Sequence, residues 1–387
     1  MTKIALIDFS EVETFTIQHL LSPYQVELTE EDSADLLIRK GPGIRNSIHT
    51  KVEMPNRIVD RTSERLHTES VEIGADQIVE CSKILERVMN PRIALRYLIA
   101  TGLPFEYNVM PSSIRNRFLS NRKIDTDLSR HLSVETARKT LVSTLSQKGF
   151  RLLRRRPPSL LITHDIDTEQ GLQRAAALKS VENELGMKSF WFLPSIEYPI
   201  SATIAKELTE GSVIGSHDIR HDGKLIRVRK RTEVVQRLRE SRLRLETIFE
   251  HDVVCFRSPL LQFSRKITSA LKEAGYLHDF SVPCWEPIHP STMEGFGIES
   301  TQPFEIDGIT ETPLTLFQDH QVLYMMGMDA DHAIKLWVEQ AKLIRSFGGD
   351  IVLLIHPDYA FSRDTDAYRR LLKSLSEVGS DYSPIVP

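Results

Sequence analysis

Several polar side chains in the second half of the chain are of the kinds that bind metals and move protons. Asp165 and Asp167 follow the apolar run Leu160–Thr163 in Thr163-His164-Asp165-Ile166-Asp167. About fifty residues later, His217 and His221 lie four apart in Gly215-Ser216-His217-Asp218-Ile219-Arg220-His221, directly after another apolar run. Two imidazoles and a carboxylate can hold a divalent metal with one coordination position open. Such a site makes a nucleophilic water near neutral pH. Side chains alternate along a strand, so Asp165 and Asp167 should point to one side and His164 and Ile166 to the other. Two neighbouring carboxylates resist joint ionisation unless a cation sits beside them. One then serves as metal ligand and the other as base, and the spacing leaves open which is which.

Three further groups accompany these. Phe256-Arg257-Ser258-Pro259 puts a fixed cation after an apolar run. Asp279 opens the strand candidate Asp279–Val282. His356 follows Leu353-Leu354-Ile355 and precedes Pro357, which halts the strand. Taken singly, each has a bland explanation: a loop-capping aspartate, a surface ion pair, a structural histidine. Together, most of them fall at the carboxyl ends of strand candidates, which independent bland explanations do not account for.

The elements that must position these groups begin at Ser159. Leu160–Thr163, Ser189–Leu193, Val213–Ser216, Val253–Phe256, Asp279–Val282 and Ile351–Ile355 read as strands. Helical segments lie between them. The clearest is Thr232–Glu250, with Val234, Val235, Leu238, Leu245, Ile248 and Phe249 on one side, and another is Asp331–Ser346. Alternating strands and helices imply a parallel sheet or a barrel, with chemistry at the carboxyl ends of the strands.

Residues 159–387 resemble the polysaccharide deacetylase family, whose members share the NodB-homology domain. Thr163-His164-Asp165-Ile166-Asp167 resembles its Thr-Phe-Asp-Asp-Gly motif, and His217-Asp218-Ile219-Arg220-His221 its His-(Ser/Thr)-x-x-His motif. Arg257 with Pro259, Asp279 with Trp285, and Leu353-Leu354-Ile355-His356 resemble the remaining three. The sequence departs from the pattern where Ile166 separates the aspartates, Thr168 replaces the glycine, His164 the aromatic residue, and Leu260 the aromatic after the proline. The resemblance implies a distorted (β/α) barrel of the NodB-homology type. It implies a metal-dependent hydrolase that removes N-acetyl groups from an amino-sugar polysaccharide or its precursor, acting on a linear amide C–N bond. Asp167, His217 and His221 would bind a divalent metal, zinc first, with Co2+, Mn2+, Fe2+ or Ni2+ as alternatives. Asp165 would be the base, held ionised and oriented by Arg257. His356 would be the acid, with Asp279 hydrogen-bonded to it. Two rival readings are a metal-dependent hydrolase of another small-molecule amide on the same fold, and an inactive carbohydrate-binding relative.

The totals bound the rest. At roughly 100–200 residues per domain, 387 residues suggest two domains. Residues 1–107 read as a small α/β domain of unassigned role, starting with strand Lys3–Phe9 and helix Glu11–Leu21. Residues 108–158 read as a helical connector and 159–387 as the catalytic domain. A net charge of -4 gives no reason to expect nucleic acid. No apolar stretch approaches the roughly 18 residues of a membrane span, and no signal pattern opens the chain. The three cysteines, Cys81, Cys255 and Cys284, are few and widely spaced, which suits reduced thiols and a cytoplasmic location. The partner expected is an N-acetylated sugar or polysaccharide precursor. Oligomeric state has no sequence signature.

Overall fold

In a computed structural model of the chain, the described residues are 2–7, 9–30, 34, 36–40, 49–56, 67–100, 125–147, 149–150 and 152–379. They form two compact units. One comprises Met1–Arg87 and Leu132–Pro157, the other Val88–His131 and Pro158–Pro387.

The first unit carries a sheet of β1 (Thr2–Ile7), β2 (Val26–Leu28), β3 (Leu36–Lys40), β4 (His49–Asn56) and β5 (His67–Gly74), in the order β2-β1-β3-β4-β5. β1 runs parallel to β2 and β3, and β3, β4 and β5 pair antiparallel. Helix Glu11–Leu21 starts with a capping box between Ser10 and Glu13, the reciprocal bond that satisfies orphan N–H groups. Helix Ser133–Gln147 lies within the stretch expected to be a connector, yet it belongs to this unit's core. Its Val134, Ala137, Leu141 and Leu145, three or four apart, form one apolar stripe buried with Ile4, Ile17, Leu20 and Leu36. The polar composition of residues 108–158 hid that stripe. Residues 108–124 of the expected connector lie outside the described residues.

The second unit is built on β6 (Leu160–Asp165), β7 (Ser189–Leu193), β8 (Val213–Ser216), β9 (Cys255–Phe256), β10 (His278–Asp279), β11 (Phe304–Ile306), β12 (Ile309–Glu311) and β13 (Ile351–Leu354). The order is β11-β12-β10-β9-β8-β7-β6-β13, parallel throughout except for the antiparallel β11–β12 pair. The sheet curls into a half-barrel with helices around it, the distorted barrel expected from the sequence. Every residue of β6, β7 and β13 is buried, as parallel strands covered on both faces require. Leu161, Phe190, Phe192, Cys255, Phe280, Val352 and Leu354 form a core cluster.

One expectation about a strand needs correction. Asp279 ends its strand rather than opening it, because β10 pairs only through His278 and Asp279 with β9 and β12. The β11–β12 pair gave no clear signal, since each strand has only three residues. The segment Val88–His131 also belongs to this unit. Tyr97 Oη donates to the Gly223 carbonyl at 2.5 Å, and the His131 ring stacks on Trp285 at 3.6 Å. All three cysteines are buried. Among the described residues no helix is long and apolar enough to cross a membrane.

Candidate metal centre

Parallel strands bring their carboxyl ends to one edge of a sheet, and the predicted polar groups gather there. β6 ends at Asp165, and Asp167 lies two residues beyond it. His217 directly follows β8 and Arg257 directly follows β9. His356 lies two residues past β13.

Asp167, His217 and His221 each offer one ligand atom, and these atoms lie within 4.8 Å of one another. Asp167 Oδ1 is 3.5 Å from Nε2 of His217 and 3.5 Å from Nε2 of His221. Asp167 Oδ1 is buried and has no hydrogen-bond partner among the described residues. His217 Nδ1 faces the Arg257 carbonyl oxygen at 2.8 Å, so Nδ1 carries the proton and leaves the Nε2 lone pair turned toward Asp167. One carboxylate and two imidazoles are a donor set for zinc or a similar divalent ion. The orphaned Asp167 oxygen and the inward Nε2 atoms fit such an ion.

Asp165 sits beside this cluster, with Oδ2 3.9 Å from His217 Nε2. Arg257 Nη1 donates to Asp165 Oδ1 at 3.0 Å and to Thr163 Oγ1 at 2.9 Å, and Arg257 Nε donates to the Phe280 carbonyl at 3.0 Å. The guanidinium is fully buried and lies 4.5 Å from the Phe192 ring centroid. A buried cation in this setting needs its carboxylate partner, which fixes the orientation of Asp165.

On the other side His356 Nδ1 bonds Asp319 Oδ1 at 2.6 Å, and the His356 backbone N–H donates to Asp319 Oδ2 at 2.9 Å. Its Nε2 faces Asp167 Oδ2 at 4.0 Å. Burial opposes a charge on His356, but Asp319 first, then Asp167 and Asp165, outweigh it and push its pKa up to about 10. The partner of His356 is therefore Asp319, not the expected Asp279. Asp279 is held elsewhere: Ser281 Oγ donates to its Oδ1, and it stands in register with Glu311 on β12. Asp279 Oδ2 and Glu311 Oε2 are buried with no hydrogen-bond partner among the described residues. Burial pushes both carboxyl pKa values up. Asp319 lies between β12 and the short helical segment Gln321–Met325, where the sequence suggested no strand or helix, so no periodicity marked it.

The strand alternation at β6 held. Asp165 points to Arg257 and the histidines, while His164 turns to the opposite side. There His164 Nε2 meets Glu182 Oε1 at 2.7 Å and Nδ1 meets the Ile355 carbonyl at 2.9 Å. Thr168 stands where the resembled motif has glycine. It N-caps helix Glu169–Glu184 and donates Oγ1 to Asp358 Oδ1. Asp358 Oδ2 accepts the Asp167 backbone N–H at 3.4 Å. Burial, followed by the Asp167 charge, pushes the Asp358 pKa up to about 6. Asp358 was legible only as part of His356-Pro357-Asp358, with nothing to signal this contact. Burial opposes ionisation of Asp167, yet His221, His217 and His356 hold its carboxyl well below the usual range.

No protein-family model matches the chain, and no curated protein matches it. Solved structures do. A Mycobacterium smegmatis protein assigned as a polysaccharide deacetylase aligns at a TM-score of 0.47 and 17% identity, covering 57% of this chain and 84% of that one. A family 4 carbohydrate esterase from Streptomyces lividans, in complex with acetate, aligns at 0.39 and 11%, covering 57% and 90%. A family 4 pseudoenzyme from Bacillus anthracis aligns at 0.39 and 12%, covering 58% and 63%. All three alignments have TM-scores below 0.5 and identities below 20%, so no argument rests on them.

Proposed function

We propose that the chain is a metal-dependent hydrolase that removes an N-acetyl group from an amino sugar, in a polysaccharide or a precursor of one. The observation that carries this reading is the pair of opposed groups flanking the ligand cluster. Asp165, clamped by Arg257, lies on one side, and His356, charged by Asp319, lies on the other. A carboxylate aimed by a cation and an imidazole paired with a carboxylate, both beside the ligand cluster, are the kind of base and acid that amide hydrolysis needs. Asp167, His217 and His221 would hold the ion. A divalent ion there supplies Lewis acidity that polarises an amide carbonyl and acidifies water.

The protein groups account for the proton movements. Asp165 takes a proton from the water whose oxygen forms the new bond to the acyl carbon. Arg257 keeps that carboxylate aimed at the cluster. His356, with Nδ1 held by Asp319, presents its Nε2 proton to the nitrogen as the C–N bond breaks. The products are acetate and a free amine. Asp279 has no place in the proton transfers. With Glu311 and Ser281 it supports the strand from which Phe280 gives its carbonyl to Arg257.

The test is an acetate-release screen over N-acetylated sugars and oligomers with defined metals. Wild type should release acetate, and Asp165→Asn should retain about one ion per chain while losing turnover. His217→Ala and His221→Ala should lose the ion. Full metal content in both histidine variants would reject the ligand set. Release from non-sugar amides alone would reject the substrate class.

A further inference from the structure

The loop carrying the two imidazoles is gripped from outside the cluster. His217 and His221 are each followed by an aspartate, Asp218 and Asp222, and one guanidinium binds both. Arg237, on helix Arg231–Phe249, donates Nε to Asp218 Oδ1 at 2.9 Å and to Oδ2 at 3.0 Å. Its Nη2 donates to Asp222 Oδ1 at 2.8 Å and lies 2.8 Å from Asp218 Oδ2. One helical turn further on, Ser241 Oγ donates to the Asp218 carbonyl at 2.6 Å. The same hydroxyl pairs with Ser216 Oγ at 2.9 Å, just before His217. From the other side, the Ser195 and Ile196 N–H groups donate to the Asp218 and Ile219 carbonyls, each at 3.1 Å. Asp218 is 1% exposed and has a φ of 65°, in the left-handed region that a non-glycine residue occupies only at a cost.

We propose that Arg237 is a positioning residue that sets the separation of the His217 and His221 imidazoles; this rests on reading Asp167, His217 and His221 as the metal ligands. His217 is fixed by its place at the end of β8 and by the Arg257 carbonyl. His221 is four residues further on, past the left-handed turn at Asp218 and outside any strand, with its backbone N–H donating to Glu197 Oε2 at 3.3 Å. Its placement depends on the path of the loop, and the Arg237 fork ties the two points of that path next to the ligands. A guanidinium presents its donors in a rigid plane, so it fixes the distance between two carboxylates as an ammonium cannot. Ser241 alone would hold the Asp218 carbonyl but leave Asp222 free of the helix. The resembled motif has a serine or threonine directly after its first histidine. Here Asp218 occupies that position, and the cation that answers it lies on the next helix.

The experiment measures Zn2+ affinity of the full chain by competition with a chromophoric chelator, alongside melting of the metal-free protein. Arg237→Lys keeps the charge and loses the fork. It should bind Zn2+ roughly tenfold to a hundredfold more weakly, the range for outer-shell partners of metal ligands. Its metal-free melting should stay near that of wild type. Arg237→Ala should bind at least as weakly as Arg237→Lys. Wild-type Zn2+ affinity in Arg237→Lys would overturn the proposal. Should wild type itself bind no Zn2+, the ligand reading fails on its own. The positioning claim is then read from the His221 ring 15N–1H correlations of metal-free protein. A shift in Arg237→Lys supports it, and an unchanged spectrum overturns it.

Discussion

The acid and the base differ in how they are held, and that difference makes their roles separable by experiment. Asp165 has a buried arginine against one oxygen, whereas His356 has a buried aspartate against Nδ1. Asp319 supplies the largest of the effects that raise the His356 pKa against burial. Asp319→Asn removes that charge, so His356 loses its proton at a lower pH than in wild type. A general acid acts only while protonated, so the alkaline limb of the pH–rate profile should move down. Turnover near pH 7 should fall on the order of 10²-fold, the lower end of what proton transfer supplies, with little change in KM. A profile that stays in place would remove Asp319 from the acid. Asp279→Asn should leave that limb unmoved, because Asp279 is bonded to Ser281 and His356 to Asp319.

At the scale of elements, the first and last sequence motifs are clasped together by Asp358. Its side chain accepts from Thr168 and from the Asp167 backbone, and Arg174 Nη1 donates to its carbonyl at 3.1 Å. Helix Glu169–Glu184 approaches so closely that a Cβ on Gly171 would lie 2.3 Å from Asp358 Oδ2. Asp358 can yield only by giving up the bonds that hold the Asp167 loop. Gly171→Ala should therefore cost about 1–3 kcal/mol, as overpacking in a filled site does. It should also weaken metal binding. Calorimetric melting with and without Zn2+ checks both, and an unchanged melting temperature would show that the clasp is slack.

Across the whole eight-stranded unit, one buried polar network ties distant segments together. Glu182 Oε1 meets His164 Nε2 and the Tyr368 hydroxyl, each at 2.7 Å, and its Oε2 accepts from Ser189 Oγ. Trp191 Nε1 donates to that same Ser189 Oγ at 2.8 Å. The network thus joins β6, β7, helix Glu169–Glu184 and helix Thr365–Val378. Burial opposes ionisation of Glu182, but His164 outweighs it, helped by the Ser189 and Tyr368 hydroxyls, and its pKa is lowered. A depressed carboxyl pKa gives stability that is fully present above the unfolded value, near 4.3, and lost as pH falls through the folded one. Glu182→Ala should cost about 3–5 kcal/mol at pH 7, the range for breaking a buried pair. The gap from wild type should narrow as pH falls below about 4. A gap that stays constant from pH 7 to pH 3 would mean that Glu182 is not the group titrating.

The sequence by itself determined the parts that depend on short-range pattern. Strand-helix alternation from Leu160 onward, the His217/His221 spacing, and Arg257 and His356 just past their strands are all local regularities. Parallel pairing then carries them to one edge without further instruction. Alternation along β6 likewise separated Asp165 from His164. The tertiary structure decided what depends on distant partners. Asp319 reaches His356 across 37 positions, Asp358 reaches Thr168 across 190, and Arg237 reaches Asp218 across 19. No period in the chain encodes such pairs, because a charged side chain has no pattern of its own until burial takes away the water that would otherwise solvate it. For the same reason Asp279, which the motif order put beside the acid, proved to be bonded to Ser281 and to stand in register with Glu311. Its neighbours were set by the register of β10 with β12, which only the folded sheet fixes.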